Sequence, residues 1–357
     1  FRDIPLGVGV GGPFSFSTQE MKHILDEGAP YLMQRGLASA EDIERTESNG
    51  HLEGADASAV SAEAFKRGHD QCGTLGSGNH FAEVQFVEEV YDASAAEALG
   101  LEAGMITLMI HSGSRGLGHQ VCSDAIKSLR NAPQKYGIAL PDRQLVCAPL
   151  DSPEGRQYLA GMRAAANFAW CNRQLLAVQM RRTLERFFDQ TGESLGLRQV
   201  YDVAHNIAKM ESHVVDGRRR EVCVHRKGAT RAFPPGHPEL AEAFRPIGQP
   251  VIIPGSMGTA SYVLLGAQTA MANTFGSTCH GAGRVLSREA AIRRASGRRI
   301  DQELMSKGIF ARARGRTGLA EEQPEAYKDM DRVVDVVHNA GLARRVGRLR
   351  PVGVIKG

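Results

Sequence analysis

Met105-Ile106-Thr107-Leu108-Met109-Ile110 runs straight into His111-Ser112-Gly113-Ser114-Arg115-Gly116. The first six residues predict a short buried strand. The next six predict a loop that ends it, with an imidazole, a guanidinium and backbone N–H groups that glycine leaves accessible. That combination suits phosphate or another oxyanion. Working outward, the same arrangement recurs. Gly76-Ser77-Gly78-Asn79-His80 precedes an expected strand over Phe81–Val90. An expected strand over 199–203 leads to His205-Asn206, and one over 251–253 leads to Pro254-Gly255-Ser256-Met257-Gly258-Thr259. A further short strand is expected over 221–224, before a basic turn with His225. Functional groups are therefore expected in loops at strand ends, held by a rigid scaffold.

Between the strands, apolar residues at helical spacing predict a long helix over 156–188 and shorter ones over 118–129 and Arg288–Arg294. The segment 228–250 carries Pro234, Pro235, Pro238, Pro246 and Pro250 and reads as an ordered loop. No repeat or low-complexity tract divides the chain, and the motifs interleave along it. The expected class is α+β, with residues 1–357 forming a single domain around a mixed β-sheet.

Composition bounds the function. With 42% hydrophobic and 23% charged residues, the chain reads as an ordinary soluble globular protein. No apolar run approaches the roughly 20 residues of a membrane span. Six cysteines without a C-x-x-C pair read as reduced thiols of a cytoplasmic protein. A net charge of +3 is too small to argue for nucleic acid by itself. Its distribution says more: arginines crowd the stretch from Arg284 to Arg316, and Arg293, Arg294, Arg298 and Arg299 are its expected RNA phosphate contacts.

Neutral imidazole ligates metals and attacks phosphorus, so several placed histidines suggest metal-assisted phosphate chemistry. In a strand starting after His80, residues 80, 82 and 84 share one face while Glu83 points away. His280-Gly281-Ala282-Gly283-Arg284 supplies an imidazole, flexible backbone and a cation, a group able to attack a phosphoryl centre and hold its charge. His119 is read as a helix-start residue, and His213, His225 and His237 as surface residues. The turn after 251–253 lacks the G-x-x-x-x-G-K-[ST] pattern, which excludes a Walker-type NTPase.

Gly73-Thr74-Leu75-Gly76-Ser77-Gly78-Asn79-His80-Phe81, the segment 111–118, His205-Asn206-Ile207-Ala208, the segment 254–258, the segment 280–284 and the terminal Val354-Ile355-Lys356-Gly357 together resemble the RtcB-type RNA-splicing ligases, in that family's order. The resemblance implies an enzyme that joins an RNA 2′,3′-cyclic phosphate or 3′-phosphate end to a 5′-hydroxyl end, using GTP and two manganese ions. It implies that His280 takes GMP from GTP through a phosphoramidate bond, and that His80, His111 and His205 bind manganese. It further implies guanine-nucleotide contacts at Asn79, His80, Phe81, Ala82, Glu83, His205, Asn206, Pro254, Gly255, Ser256, Met257, Ser261, His280, Gly281, Ala282, Gly283 and Lys356. Tyr327 resembles the aromatic that stacks on guanine. Arg115 and Arg284 are the expected phosphate or RNA contacts.

Family members also carry an Asp-x-x-Cys metal motif upstream of the region where this chain starts, so the chain is expected to lack its N-terminal part. Asp70-Gln71-Cys72 has the wrong spacing to replace that motif, and Cys72 is read as a packing residue. Two other readings stay open on the residues alone: a metal-dependent phosphatase or nuclease, and a noncatalytic RNA-binding relative.

Overall fold

Phe81–Val90 is apolar enough on both faces to be covered on both for most of its length, and it lies inside the largest sheet. The computed structural model describes residues 3–7, 11–142 and 144–357. Its strands are β1 (Phe81–Val90), β2 (Ile106–His111), β3 (Asn206–Val215), β4 (Arg218–Lys227), β5 (Ala229–Arg231), β6 (Pro250–Ile253), β7 (Ser261–Gly266), β8 (Ser277–Cys279), β9 (Phe310–Ala313) and β10 (Ala343–Lys356). A six-stranded sheet runs β2-β1-β10-β7-β6, with β9 also pairing β10. Only the β9–β10 pair is parallel, so the sheet is mixed and the architecture is α+β, as expected. The pairs β3–β4 and β5–β8 stand apart from it.

Val87, Leu99, Met109, Phe244, Val263 and Val354 pack one apolar layer on the sheet. A second layer, with Met21, Ile24, Leu32, Phe168 and Leu175, lies under the helices. The long helix spans Pro153–Phe188, three residues earlier than its apolar spacing indicates. Ser152 caps it by accepting from the Gly155 amide at 3.0 Å, and Pro153 occupies a first-turn position that needs no N–H donor.

Three expectations need correction. The segment 199–203 forms no strand. Asp202 makes one isolated bridge to Thr46, with its amide donating to Arg45 O at 3.0 Å. The strand expected over 221–224 is the centre of ten-residue β4, which pairs β3 across Asp216-Gly217. Both turn residues have positive φ, 51° and 73°, as a two-residue hairpin turn requires. The loop over 228–250 begins with β5.

Candidate metal and nucleotide centre

The registers of β1, β2 and β10 fix what stands at one edge of the sheet. Phe81 is opposite His111 of β2 on one side and Lys356 of β10 on the other. His80 directly precedes Phe81 and so enters the same place. His205 and His280 arrive from the neighbouring pairs, tied through Gly228. The Gly228 amide donates to His205 O at 2.9 Å, and the His280 amide donates to Gly228 O at 3.3 Å. Their rings consequently stack, with centroids 3.5 Å apart and planes 5° apart. His111 lies 5.1 Å from each of them, and His80 lies 5.9 Å from His111. Four imidazoles from four separated segments therefore meet at strand ends.

His111, His205 and His280 each present a ring nitrogen within 4.8 Å of the others, a spacing that suits one metal ion. His80 stands beside this trio, its Nδ1 facing Arg115 Nη1 at 3.3 Å. Burial is the main reason that all four rings are held neutral. It brings His80 and His280 to about 4, His205 to about 2 and His111 well below its ordinary value. Arg115 and Lys356 add to the effect at His80, and Arg173 at His280. Both ring nitrogens of His280 are buried without a partner. Buried polar atoms are rarely left so, and a metal ion or an electrophilic phosphorus would satisfy them. The donor set therefore fits a divalent metal.

The long helix sets the spacing between these segments. Asn172 Oδ1 accepts from the Gly73 and Thr74 amides at 2.8 and 3.0 Å, while its Nδ2 donates to Ser112 Oγ and Gly113 O at 3.1 and 3.0 Å. Arg173 clasps Asp202 through Nε at 2.8 and 2.9 Å and donates to Ser112 O at 3.2 Å. Two adjacent helix residues thus lock the His80, His111 and His205 segments to one ruler. The sequence reading missed both, although polar residues on an otherwise buried helix face were the available signal. At Gly76, φ is 104° and a Cβ would collide with Arg115 and His80, so only glycine fits this approach.

The remaining expected residues fall into two groups. Lys356 is buried, with Nζ donating to Asn79 O at 3.2 Å, lying 3.6 Å from Glu322 and 5.1 Å from the Phe81 ring centroid. Arg284 donates to Glu322 at 3.0 Å and to Leu286 O at 3.0 Å, and its guanidinium lies over the Tyr327 ring at 4.9 Å. A phosphate arriving at Arg284 would compete with Glu322. Pro254 lines a cavity of about 500 Å³ together with His111, His205, His280 and Arg173. Asn206 holds the hairpin base, its Oδ1 accepting from the Gly228 amide at 3.1 Å.

The second group is structural in its contacts. Phe81, Ala82, Glu83, Met257, Ser261 and Ala282 are buried. Ser261 Oγ accepts from the Gly255 amide and from Gln85 Nε2, both at 2.9 Å, which braces the loop of Gly255 and Ser256. Gln85 also donates to Glu83 at 2.5 Å, whose carboxyl burial pushes up to about 8. Gly281 and Gly283 face open space.

His213 is not a surface residue: it is buried, 2.9 Å from Glu211, which also pairs with Arg226. Arg298 pairs with Glu303 and Glu325, Arg299 with Asp301, and Arg293 with Glu289, so most of that cluster is neutralised internally. Cys72 is buried and its thiol is pushed up by burial, as a packing residue should be.

Behind His205 lies a buried ionic group. Glu47 accepts from Lys209 at 2.6 Å and from the Ala204 amide at 2.8 Å, with Arg231 at 3.5 Å. Burial alone would raise the Glu47 carboxyl, but Lys209 and Arg231 outweigh it and hold it at about 2. Glu47→Ala would leave the buried Lys209 without its carboxylate partner, while Arg231 keeps Glu239 at 2.7 Å, so it is expected to cost about 3–5 kcal/mol of folding stability. A denaturant midpoint that does not move would show that the network contributes nothing.

The chain is similar along its whole length to one family of known proteins. The family model described as tRNA-splicing ligase RtcB matches residues 1–357. A tRNA-splicing ligase RtcB of Archaeoglobus fulgidus is 55% identical over 357 residues, covering all of this chain and 74% of that protein. Its counterpart in Thermococcus kodakarensis is 52% identical with the same coverage. The one in Pyrococcus abyssi is 53% identical over all of this chain and 39% of its own length. Among the described residues, no helix is long and apolar enough to cross a membrane.

Proposed function

The chain belongs to the tRNA-splicing ligase RtcB family, and from that membership we propose that residues 1–357 act as one catalytic unit that joins RNA ends in the cytoplasm, in tRNA splicing or RNA repair. The substrates are an RNA strand ending in a 2′,3′-cyclic phosphate or 3′-phosphate, a strand beginning with a 5′-hydroxyl, and GTP. His80, His111 and His205 hold manganese, two ions in all, leaving His280 free as nucleophile. When bound, the metal polarises phosphoryl oxygens and orients the triphosphate.

The chain's own residues do the rest. A His280 nitrogen, kept neutral by burial, attacks the α-phosphorus of GTP, forming a P–N bond and releasing pyrophosphate and a proton. Water opens a cyclic phosphate to the 3′-monophosphate. An oxygen of that monophosphate then attacks the histidine-bound phosphorus, breaking the P–N bond and moving GMP to the RNA while the departing ring nitrogen takes back a proton from solvent. The 5′-hydroxyl oxygen attacks the 3′-phosphorus, GMP leaves, and the hydroxyl proton passes to solvent. Backbone groups of 254–257 and 280–283, with Asn79, Asn206 and Lys356, hold the nucleotide, and Tyr327 stacks on guanine. Arg115 and Arg284 offset phosphate charge.

The observation that carries this reading is the meeting of four neutral imidazoles, one of which, His280, has both ring nitrogens buried and unpartnered. The test is an end-joining assay with 3′-phosphate and 5′-hydroxyl RNA, GTP and manganese in the full-length protein. Joined product that requires both GTP and manganese supports the reading. Shortened or dephosphorylated RNA alone would make the protein a hydrolase, and binding without chemistry would make it a noncatalytic RNA-binding relative.

A further inference from the structure

Between Glu303 and Glu321 the charged residues are Lys307, Arg312, Arg314 and Arg316, with no acid among them. Arg312, Arg314 and Arg316 are exposed, and among the described residues none forms an ion pair with a carboxylate. This sets them apart from Arg284, Arg293, Arg298 and Arg299, each of which does. The backbone explains the arrangement. Ala311 and Ala313 face the apolar layer, and Gly315 is extended at φ −161° and ψ 167°. The alternation sends Arg312 to the opposite side, and Arg314 and Arg316 follow it through the bend at 314–315 into the first residue of the helix Arg316–Glu321.

The row also has a direction. β9 runs parallel to β10 and sets Ala313 opposite Lys356, and the next amide, Gly357, donates to His80 O at 3.0 Å. Arg314 Nη1 comes within 2.7 Å of where a Cβ on Gly7 would stand, and the Gly7 amide donates to Gly76 O at 2.6 Å. Arg288 Nη2 is likewise 3.1 Å from the Cβ position of Gly78. The arginines thus lead to the glycine turn that delivers His80.

We propose that Arg312, Arg314 and Arg316 form a phosphate-contacting row that guides single-stranded RNA toward the histidine cluster; this rests on the RNA-ligase reading above. Closely placed unpaired guanidiniums suit a repeating anionic backbone and need no base sequence. An acidic protein segment is the competing occupant. RNA is favoured because the row ends where an RNA phosphate is to react.

The test compares full-length protein with the triple variant R312Q/R314Q/R316Q, and with R312K/R314K/R316K as a charge-retaining control. Single-stranded RNA of mixed sequence ending in a 3′-hydroxyl, which cannot be activated, is titrated at 50 and 200 mM salt. Losing three phosphate contacts should lower the log–log salt slope by about 2, so this salt increase should weaken binding about 20-fold more in the unsubstituted protein than in the glutamine variant. The lysine variant should keep most of the slope. Guanylylation of His280 should be unchanged in all three proteins, because it takes no RNA. An unchanged slope in the glutamine variant overturns the proposal, as does a loss of affinity without a change of slope. Loss of polyglutamate binding with RNA binding intact would overturn it in favour of a protein partner. Failure of the unsubstituted protein to take up GMP would instead count against the ligase reading, leaving the salt comparison to stand on its own.

Discussion

Replacing His280 with alanine is expected to abolish covalent GMP uptake. Full-length protein incubated with GTP and manganese should gain the mass of one GMP residue, in a form labile to acid and stable to alkali, and the variant should gain none. RNA joining should fall on the order of 10⁴-fold or more, as it does when a nucleophile is removed from groups that act as a unit. His280 leaves the end of β8 with both ring nitrogens buried and unpaired, stacked on His205. The electrostatics agree, since burial lowers the ring to about 4 and leaves a lone pair available near pH 7. The His280 ring makes no hydrogen bond to the protein, so the variant should melt close to the unsubstituted protein, and the loss can then be assigned to chemistry. An adduct that survives in the variant would remove His280 from this role. ATP should substitute poorly, since a site that hydrogen-bonds guanine leaves polar groups unpaired against adenine.

The second large effect concerns metal. His111→Ala and His205→Ala should each lose tightly bound manganese, measured as metal content after desalting, because each removes one of the three imidazoles assigned to the metal, His111 standing 5.1 Å from His205 and 5.9 Å from His80 between ring centroids. His237→Ala should lose none, as its ring packs against Phe233 with centroids 3.9 Å apart. Unchanged content in both of the first two variants would refute the assignment. The pH dependence has a definite sign. Only neutral imidazole ligates, so protons compete as pH falls. An ordinary histidine would place that competition near 6.5, but burial moves His80 to about 4 and His205 to about 2. Manganese retention should therefore hold through pH 6 and fail well below it. Loss centred at the ordinary histidine value would mean that the cluster is open to water.

How much of this was legible in the sequence depends on how local each signal is. β1, β2 and β6 announced themselves as apolar runs, and each leads out of or into a motif that the strands then brought together. β10 did not, although it supplies Lys356. It carries Arg344, Arg345, Arg348 and Arg350 together with Gly347, Pro351 and Gly353, and propensity reads such a segment as loop. The sheet tolerates it because the pairing shifts register between Arg345 and Gly347 on one side, and between Val84 and Gln85, beside Pro351, on the other. The four histidines were legible because glycine and asparagine surround them. Their supports were not. Asn172, Arg173, Glu47 and Glu322 act over long sequence separations, and each looks locally like any polar residue of a helix or turn. The arginine cluster misled for the converse reason: charge along a sequence does not reveal which guanidiniums the fold has already neutralised.

The place of β10 bears on how the protein comes into being during synthesis. Phe81 finds its second strand partner only at Lys356, and β7 likewise waits for β10 to acquire its second neighbour. A ribosome will have extruded all four histidines before the strand between β1 and β7 emerges. Until then both carry an unsatisfied row of backbone donors and acceptors, the kind of edge that invites pairing with a neighbouring chain. Closing the sheet is a long-range event, intrinsically slow compared with helix formation. A prematurely terminated polypeptide would therefore keep both edges open and be prone to aggregate.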